Sequence, residues 1–333
     1  MSAHSSSSKV RFLNPQAVVD CLPMGPCIAL MRKAFTQVSE GRTAQPIRAM
    51  VRNREGTGLM GWMPGYVDDP KRLGIKTVTI FPQAAALGIK SHQGLVLLFE
   101  AEQGQLLAAM DAAEITGIRT AAATAAATDA LARKDAKTLS IFGLGEQAAT
   151  HLQSMALVRS FERCLVWGRD PGKTRAFVEA HAARYPFKLE AVASAEAAAG
   201  SDILCTVSAA PEPFFKGAWL KPGQHINVVG SSIPTTSEID HDTIARSRVF
   251  VDYKDSALAL AGDLRRAFEA GVVTPDHIVG EVGEVLIGKV PGRRGPDDIT
   301  LFKSLGMVAE DVLSADYILQ TAEQRNAGVV VDW

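Results

Sequence analysis

The sequence predicts an α/β protein in which a doubly wound parallel sheet follows a separate, strand-rich α+β domain. Residues 137–206 alternate between short apolar strands and helices, the pattern of a parallel sheet with helices on both faces. The preceding region shows mostly strand patterns, and 333 residues are enough for two domains. We therefore place the first domain at 1–118, with a C-terminal return at 313–333, and the parallel-sheet domain at 119–312.

Composition and charge exclude several classes of protein. The net charge is −1, so neither nucleic acid nor a membrane surface is an expected partner. The cysteines Cys21, Cys27, Cys164 and Cys205 have no metal-ligand spacing, so we expect no metal site and a reducing compartment. The first eight residues are polar and serine-rich, and uncharged apolar runs of membrane-spanning length are absent from the sequence. We expect a disordered leader and a soluble, cytoplasmic protein.

The first domain is predicted from periodicity. Apolar residues at helical spacing predict one helix over 15–41, and β-branched runs predict strands at 46–59 and 76–81. The segments 94–100 and 106–110 flank a Gln-Gly turn and predict a hairpin. Alanine and threonine predict a closely packed small-residue helix over 118–132.

The second domain is predicted as a series of alternating elements. Its strands are expected at 137–142, 164–168, 189–192, 202–206, 225–229 and 248–251. Its helices are expected at 147–158, 171–185 and 194–199. A final helix is predicted over 300–320, followed by an apolar tail at 328–333.

The first strand of the second domain runs directly into Gly143-x-Gly145-x-x-Ala148. In a dinucleotide-binding unit these positions allow the tight turn, the approach of pyrophosphate to backbone and close helix–strand packing. The pyrophosphate then lies at the positive end of the following helix. A glycine turn without a ligand is the alternative. The cofactor contacts expected at these strand ends are Gly143, Gly145, Glu146, Gln147, Ala148 and Ser208.

The residue that ends the second strand of such a unit contacts the adenosine ribose. Here the strand at 164–168 is followed by Arg169, with Asp170 and Lys173 close behind. A guanidinium is suited to a 2′-phosphate, so we expect NADP(H) to be preferred and NAD(H) to be possible. The alternative is that Asp170 binds the ribose of NAD while Arg169 is only a solvated loop residue.

Six blocks in order along the chain resemble the ornithine cyclodeaminase and mu-crystallin family. The resemblance extends from Arg48 to about Val312. It implies a homodimer built through the strand-rich domain, a Rossmann-type cofactor domain and an active site between the two domains. The blocks are Gly74-Ile-Lys76, residues 91–99 (SHQGLVLLF), residues 115–122 (ITGIRTAA), residues 143–148 (GLGEQA), residues 225–230 (HINVVG) and residues 300–307 (TLFKSLGM).

The resemblance also implies roles for individual residues. It places Arg48, Lys76 and Arg119 on a substrate carboxylate and the Thr120 hydroxyl on cofactor phosphate. Charge-assisted hydrogen bonds are what a carboxylate taken from water requires. The alternative for Arg48 is an ordinary surface charge. Lys76 begins an apolar strand, where an unpaired lysine is costly.

Departures from the family patterns separate its chemistries. Ornithine cyclodeaminases carry an aspartate where this chain has Ser232, and related alanine dehydrogenases carry an arginine where it has Gly61. A serine cannot replace a carboxylate as anionic partner or general base. Ornithine cyclodeaminase and alanine dehydrogenase activities therefore remain only alternatives, and we assign Ser232 to substrate binding.

The mu-crystallin branch is the more similar one. It implies NAD(P)H-dependent reduction of cyclic ketimines, Δ1-pyrroline-2-carboxylate or Δ1-piperideine-2-carboxylate, to proline or pipecolate. Such an oxidoreductase of proline metabolism must hold the carboxylate and keep the imine nitrogen protonated. Lys76 is the first candidate for the proton donor and His92 the second. A crystallin-like protein that binds NADP(H) without turnover is the non-enzymatic alternative.

Overall fold

A computed structural model describes residues 9–333, so the leader predicted at 1–8 lies outside the described residues. The strands are β1 Lys9–Leu13, β2 Thr43–Ala44, β3 Ala49–Arg52, β4 Leu59–Asp68, β5 Lys71–Ile80, β6 His92–Glu100, β7 Leu106–Asp111, β8 Thr138–Phe142, β9 Arg163–Trp167, β10 Lys188–Ala191, β11 Ile203–Thr206, β12 His225–Val228, β13 Arg248–Val251, β14 Ile278–Glu281, β15 Thr300–Lys303 and β16 Val329–Asp332. The helices are α1 Pro15–Cys21, α2 Met24–Ser39, α3 Ala112–Leu131, α4 Glu146–Val158, α5 Pro171–Ala182, α6 Ala195–Ala198, α7 His241–Ala245, α8 Lys254–Leu260, α9 Gly262–Glu269, α10 Val282–Leu286 and α11 Val308–Arg325.

The chain divides into two compact units. Unit 1 contains the residues up to Arg119 together with Met307–Trp333, and unit 2 is Thr120–Gly306. The mixed architecture agrees with the predicted fold class, a parallel-sheet unit and a strand-rich α+β unit. Within residues 9–333, every helix is too short or too polar to cross a membrane.

Unit 1 is built on a mostly antiparallel sheet. Its strand order is β16-β1-β7-β6-β5-β4-β2, with β3 paired to β4, and only the contact between β1 and β7 is parallel. Helix α11 packs on β4, β5 and β6 and also contacts α2. Because side chains alternate along a strand, one sheet face supplies the core with Val96 and Leu98 while the other carries Leu95 and Leu97.

Two glycines let α11 approach this sheet closely. Gly65 of β4 and Gly74 of β5 are paired across the strands. A Cβ atom at Gly65 would lie 2.3 Å from Val308 Cγ1, and one at Gly74 would lie 2.6 Å from Val312 Cγ2. Any side chain at either position would therefore push back the first turns of α11.

Unit 2 is a parallel sheet in the order β10-β9-β8-β11-β12-β15-β13-β14. Strands β8 to β13 and helices α4 to α6 occur where the sequence predicts them, with ends shifted by a few residues. The strand order reverses direction beside β8, where β9 and β10 lie to one side and β11 and β12 to the other. Ligands of such sheets bind at the carboxyl ends of the strands at this point.

The structure corrects several predicted elements. The single helix at 15–41 is two helices, α1 and α2, because Pro23 lacks an N–H and caps the second one. The helix predicted over 300–320 begins instead as β15, whose buried residues pair with β12 and β13 inside the sheet, and α11 starts only at Val308. Tertiary pairing overrides local helix propensity here.

The strand predicted at 46–59 was misplaced, whereas the one predicted at 76–81 is confirmed as the second half of a longer strand. The first of these segments contains only the short β3, whereas β4 and β5 form a long hairpin over Leu59–Asp68 and Lys71–Ile80. Glycine and proline within 59–68 hid the strand, although both are tolerated because β4 lies near the sheet edge. The predicted hairpin of β6 and β7 is confirmed, and α3 starts six residues before its predicted beginning, at Ala112.

Candidate active site

Lys76 lies on the face of β5 that packs against α11, and only 4% of the residue is exposed. Its Nζ atom lies 3.1 Å from Asp311 Oδ1 and 3.0 Å from Asp311 Oδ2. The same atom donates to Thr116 Oγ1 at 3.2 Å. An ammonium group has three N–H donors, and Asp311 and Thr116 take up two of them. The third has no partner in the described part of the chain.

Arg119 shares the same carboxylate. Its Nε donates to Asp311 Oδ1 at 3.0 Å and its Nη1 donates to Glu310 Oε2 at 2.7 Å. Both acidic residues are fully buried in the first turns of α11, where the helix dipole also favours negative charge. A buried ion pair of this kind is stable only while its partners stay together. The structure therefore joins α3, β5 and α11 through one ionic cluster.

The pKa of Lys76 depends on its burial and on the charges around it, including that of Arg48. Burial lowers the pKa of Lys76 to about 8, and the positive charges of Arg119 and Arg48 contribute to the decrease. The charge of Asp311 and its hydrogen bond act in the opposite direction. Unit 1 thus brings Lys76 and Arg119 onto the same carboxylate, whereas half-buried Arg48 acts on Lys76 through its charge.

His92, the second predicted proton donor, lies apart from this cluster. It is exposed at the start of β6 and pairs with Ile80, and Ser91 Oγ is 3.0 Å from its Nδ1. The strand partner of Lys76 is Val96, four residues further along β6. Four residues of strand correspond to about 13 Å. His92 therefore faces the same side of the sheet as Lys76 at a distance that precludes direct contact with it.

Sequence reasoning missed Thr116, Glu310 and Asp311. The available signal was the Glu-Asp pair within an otherwise apolar helix start, Val308-Ala-Glu-Asp-Val-Leu313. Acidic residues are rarely fully buried unless they are paired. Their partners, however, lie about 190 residues earlier, with sequence separations of 191 for Glu310 and 192 for Asp311 from Arg119.

In unit 2, the predicted glycine turn joins β8 to α4. Gly143 has φ +136, and a Cβ atom there would lie 2.7 Å from the carbonyl oxygen of Val207, so only glycine fits. Gly145 caps α4, and a Cβ atom there would meet nothing within 4 Å. Ala148 is fully buried one turn later. This open, glycine-lined helix N-terminus fits the pyrophosphate of a dinucleotide.

Two further side chains, one on α4 and one on α3, have unused hydrogen-bonding capacity. The side-chain oxygen of Gln147 is buried and has no hydrogen-bond partner among the described residues. Since the oxygen and nitrogen of an amide are interchangeable by a flip, Gln147 can offer an N–H donor instead. The preceding Glu146 is exposed in the first turn of α4. The Thr120 hydroxyl on α3 makes no hydrogen bond to the described part of the chain, so it is available to a ligand.

The end of β9 shows how Arg169 and Asp170 differ. Asp170 caps α5, and its Oδ1 accepts from the N–H groups of Gly172 at 2.8 Å and Lys173 at 3.0 Å. These hydrogen bonds keep the pKa of Asp170 below its usual value. Arg169 and Lys173 are exposed, and no side-chain hydrogen bond or ion pair joins Arg169 to residues 9–333. The acidic residue therefore has a structural role, whereas the basic side chains remain available.

Ser208 and Ser232 follow β11 and β12, at the same sheet edge as Gly143. Ser208 donates its hydroxyl to Glu238 Oε1 at 2.7 Å. Fully buried Glu238 also accepts the N–H groups of Ser208 and Gly230, each at 2.7 Å, so it ties the two strand ends together. Ser232 lies in the loop that follows and is half-buried.

Two residues that could have been catalytic are structural. Asp263 is 1% exposed, pairs with Lys303 Nζ at 2.8 Å and accepts the hydroxyl of Ser237 at 2.7 Å. His225 is fully buried between Thr300 and Asn227, and burial lowers its pKa to about 3. A histidine with this pKa stays neutral at physiological pH.

The chain is similar in sequence to proteins of one family. The ornithine cyclodeaminase/mu-crystallin family matches residues 10–326. The chain is 33% identical over 314 residues to a Delta(1)-pyrroline-2-carboxylate reductase of Bacillus cereus, covering 93% of this chain and 96% of the relative. It is 35% identical over 285 residues to the ketimine reductase mu-crystallin of Mus musculus, covering 85% and 87%.

A solved structure extends the similarity to three dimensions. It is Thermococcus litoralis Delta(1)-pyrroline-2-carboxylate reductase in complex with NADH and L-proline, with a TM-score of 0.92 and 33% identity. The match covers 96% of this chain and 99% of that one. Together with the match over residues 10–326, these similarities assign the family. The chain belongs to the ornithine cyclodeaminase/mu-crystallin family.

Proposed function

We propose that this protein is an NAD(P)H-dependent reductase of cyclic ketimines that converts Δ1-pyrroline-2-carboxylate or Δ1-piperideine-2-carboxylate to proline or pipecolate. The observation that carries the proposal is the buried pair of Lys76 and Arg119 on one carboxylate of unit 1, with the charge of Arg48 also acting on Lys76. Relatives named for this reaction share 33–35% identity over 85% or more of the chain. The function predicted from the sequence agrees with these relatives.

The charges of the cluster suit a monocarboxylate substrate. Lys76 and Arg119 contact the carboxylates of Glu310 and Asp311, and the positive charge of Arg48 also acts on Lys76. These cations would attract a substrate carboxylate, which requires charged partners once it leaves water. Charge-assisted hydrogen bonds from a guanidinium would fix the orientation of that carboxylate.

Lys76 is placed to protonate the imine nitrogen. A general acid works best when its pKa is close to the operating pH, and the pKa of Lys76 is lowered to about 8. The N–H that neither Asp311 nor Thr116 occupies would carry the proton. Protonation makes the adjacent ring carbon electrophilic, and the C=N π electrons pass to nitrogen as the new C–H bond forms. His92 has no part in this scheme, and Ser232 is proposed as a substrate contact from the β12 loop.

The residues of unit 2 would hold the cofactor. When bound, NAD(P)H supplies the hydride from nicotinamide C4. The N-terminus of α4 would receive the pyrophosphate through Gly143, Gly145 and the first turn, and Thr120 would donate to a phosphate oxygen. Exposed Arg169 and Lys173 would pair with a 2′-phosphate, and Ser208 would lie beside the cofactor. On this basis NADP(H) is preferred over NAD(H).

A substrate panel run with both NADH and NADPH tests the function. The purified protein should consume NADPH with Δ1-pyrroline- or Δ1-piperideine-2-carboxylate. Arg169→Ala should lose about 10- to 150-fold in affinity for NADPH, since one charge-assisted pair is worth roughly 1.5–3 kcal/mol, and little for NADH. Absence of turnover with both imines, together with ammonia release from ornithine, would favour a cyclodeaminase instead. Altered NADPH fluorescence without consumption would favour a non-catalytic binding protein.

We also propose that the protein forms a homodimer through unit 1. The sheet face opposite Lys76 exposes a row of large apolar side chains, including Met60 at 45%, Leu73 at 42% and Leu95 at 43%. Contiguous exposed apolar surface of this kind marks an interaction site. Leu95→Lys should convert the dimer to monomer in sedimentation velocity, whereas Leu157→Lys, at an exposed position on α4 of unit 2, should not.

A further inference from the structure

The Lys76 ammonium is held from two sides by groups that exchange no proton or hydride with the substrate in the proposed reaction. Asp311 faces it with both carboxylate oxygens, at 3.1 Å and 3.0 Å. Thr116 lies one helical turn before Arg119 on α3, and its hydroxyl lies 3.2 Å from Nζ. The two holders come from different elements of unit 1, so together they fix the direction of the amine as well as its position.

Thr116 can act toward Lys76 only as an acceptor. Its hydroxyl proton is donated to the carbonyl oxygen of Ala112 at 2.6 Å. A hydroxyl that has used its only proton presents lone pairs alone to a further neighbour. The contact is therefore satisfied only while Lys76 directs an N–H at Thr116; the neutral amine can still do so, but the ammonium donates the stronger hydrogen bond.

Asp311 has a second function in the same place. Its Oδ1 accepts from both Lys76 Nζ and Arg119 Nε, so one carboxylate sets the spacing between the proposed proton donor and the proposed carboxylate ligand. The carboxylate itself is immobilised by its position in the first turns of α11, which the glycines of β4 and β5 bring against the sheet. Such fixed geometry is what lowers the entropic cost of reaching a reactive arrangement.

We infer that Asp311 and Thr116 are positioning residues that hold two N–H groups of Lys76, so that its third N–H is the one that protonates the substrate imine. The inference rests on the proposed function. Titratable or charged groups facing Lys76 or its acidic partners come from every packed element: Arg119 on α3, Glu310 and Asp311 on α11, Arg48 before β3 and the buried thiol of Cys27 on α2. Its strand partners Met63 and Val96 carry no charge.

The pH dependence of kcat/KM for Δ1-pyrroline-2-carboxylate tests the inference. Loss of an anion in contact with an ammonium moves its titration by about 1–3 pH units. Asp311→Asn should therefore shift the alkaline limb of the profile to lower pH by about that amount, and kcat should fall more than KM rises. Thr116→Val should shift the limb in the same direction by less, and Thr116→Ser, which keeps the hydroxyl, should restore it. Titration of the substrate itself cancels because every variant acts on the same imine.

Asp316 provides the matched control. It lies on α11 like Asp311, is largely buried and pairs with Arg72 Nε at 2.7 Å. Asp316→Asn should leave the alkaline limb in place. If Asp311→Asn does not fold, the Thr116→Val and Thr116→Ser pair decides the question. Limbs that coincide with wild type in the folded variants would overturn the inference, whereas a wild-type protein without turnover would refute the proposed function.

Discussion

Each unit buries a lysine beside carboxylates, and the two clusters are satisfied in different ways. In unit 2, Lys303 pairs with Asp263 and donates to the carbonyl oxygen of Ser231. Asp263 accepts the N–H of Glu238 at 2.8 Å, and Glu238 in turn accepts the N–H of Gly230 at 2.7 Å. Each of these three side chains makes a hydrogen bond to a backbone group. Their charges therefore fix the loops that follow the sheet.

In unit 1 the partners are side chains. Lys76 and Arg119 are held by Glu310, Asp311 and Thr116, and one N–H of the lysine is not taken up within residues 9–333. Burial lowers the pKa of Lys76 to about 8. A buried charged side chain whose hydrogen bonds go to backbone groups typically has a structural role. A buried charged side chain with an unused N–H donor and a perturbed pKa is typical of a functional site. This difference supports the proposal that Lys76 of unit 1 is the proton donor.

The largest expected effect is the loss of activity in Lys76→Met. Removing a general acid costs about 10²–10⁴-fold in kcat. NADPH binding, measured by fluorescence, should be retained because the proposed cofactor residues lie in unit 2. Stability should fall less than it would without a second cation, since Arg119 still contacts Asp311. Lys71→Met, at the exposed start of the same strand, serves as the control, and wild-type rates in Lys76→Met would remove the lysine from the mechanism.

Lys303→Met should show the opposite behaviour. Breaking a buried pair by removing one partner costs about 3–5 kcal/mol, because Asp263 would be left charged and uncompensated. Chemical denaturation should record the loss as a lower free energy of unfolding. Lys289→Met, which breaks an exposed pair with Glu284 in the same unit, should not change the midpoint. A stable Lys303→Met protein would remove the distinction between the clusters.

Gly74→Ala should affect the unit 1 cluster indirectly. The added Cβ atom meets Val312 at 2.6 Å, and overpacking of this kind costs about 1–3 kcal/mol. Because α11 carries Glu310 and Asp311, its displacement should also lower kcat, an effect that the unit 2 cluster cannot show. Gly25→Ala, on α2 where a Cβ atom meets nothing within 4 Å, should leave both stability and kcat near wild type. An unchanged kcat in Gly74→Ala would show that activity does not depend on the position of α11.

The smallest expected effect is in the pH dependence of the wild type. The ammonium form of Lys76 persists below a pKa of about 8, so the enzyme contribution to kcat/KM should be present below that pH and decline above it. The same lowered pKa has the opposite consequence for folding. Between pH 8 and the ordinary lysine pKa of 10.5, the unfolded chain binds more protons at this residue, so its contribution to unfolding free energy rises with pH. As the pH rises above 8, activity should therefore fall while the contribution of Lys76 to the unfolding free energy rises.

Much of the unit 2 fold was predictable because its signals are local. A strand, a glycine turn and a helix follow one another within about 20 residues from β8 to α4, and the pattern repeats through β11. Strand β15 was missed because its four residues, Thr300–Lys303, show no alternation of apolar and polar side chains. Their strand character comes from the two neighbouring strands that pair with them.

The site was predictable only in part. Lys76 stands out because an unpaired lysine is costly in an apolar strand, and the family resemblance indicates Arg48 and Arg119. Asp311 gives no such signal, because its importance depends on the approach of α11 to the sheet, and that approach depends on the paired glycines of β4 and β5. Contacts between residues 192 positions apart follow no local periodicity.

The discontinuity of unit 1 has a consequence for the synthesis of the chain. Arg119 leaves the ribosome 192 residues before Asp311, about 10–40 s at roughly 5–20 residues per second. Unit 2 is a continuous segment and can fold as nascent chain, whereas the basic cluster of unit 1 must wait, solvated, for its anions. The ionic cluster of unit 1 therefore assembles last. A chain that terminates before α11 would contain the parallel-sheet unit but would lack the carboxylates that hold Lys76 and Arg119.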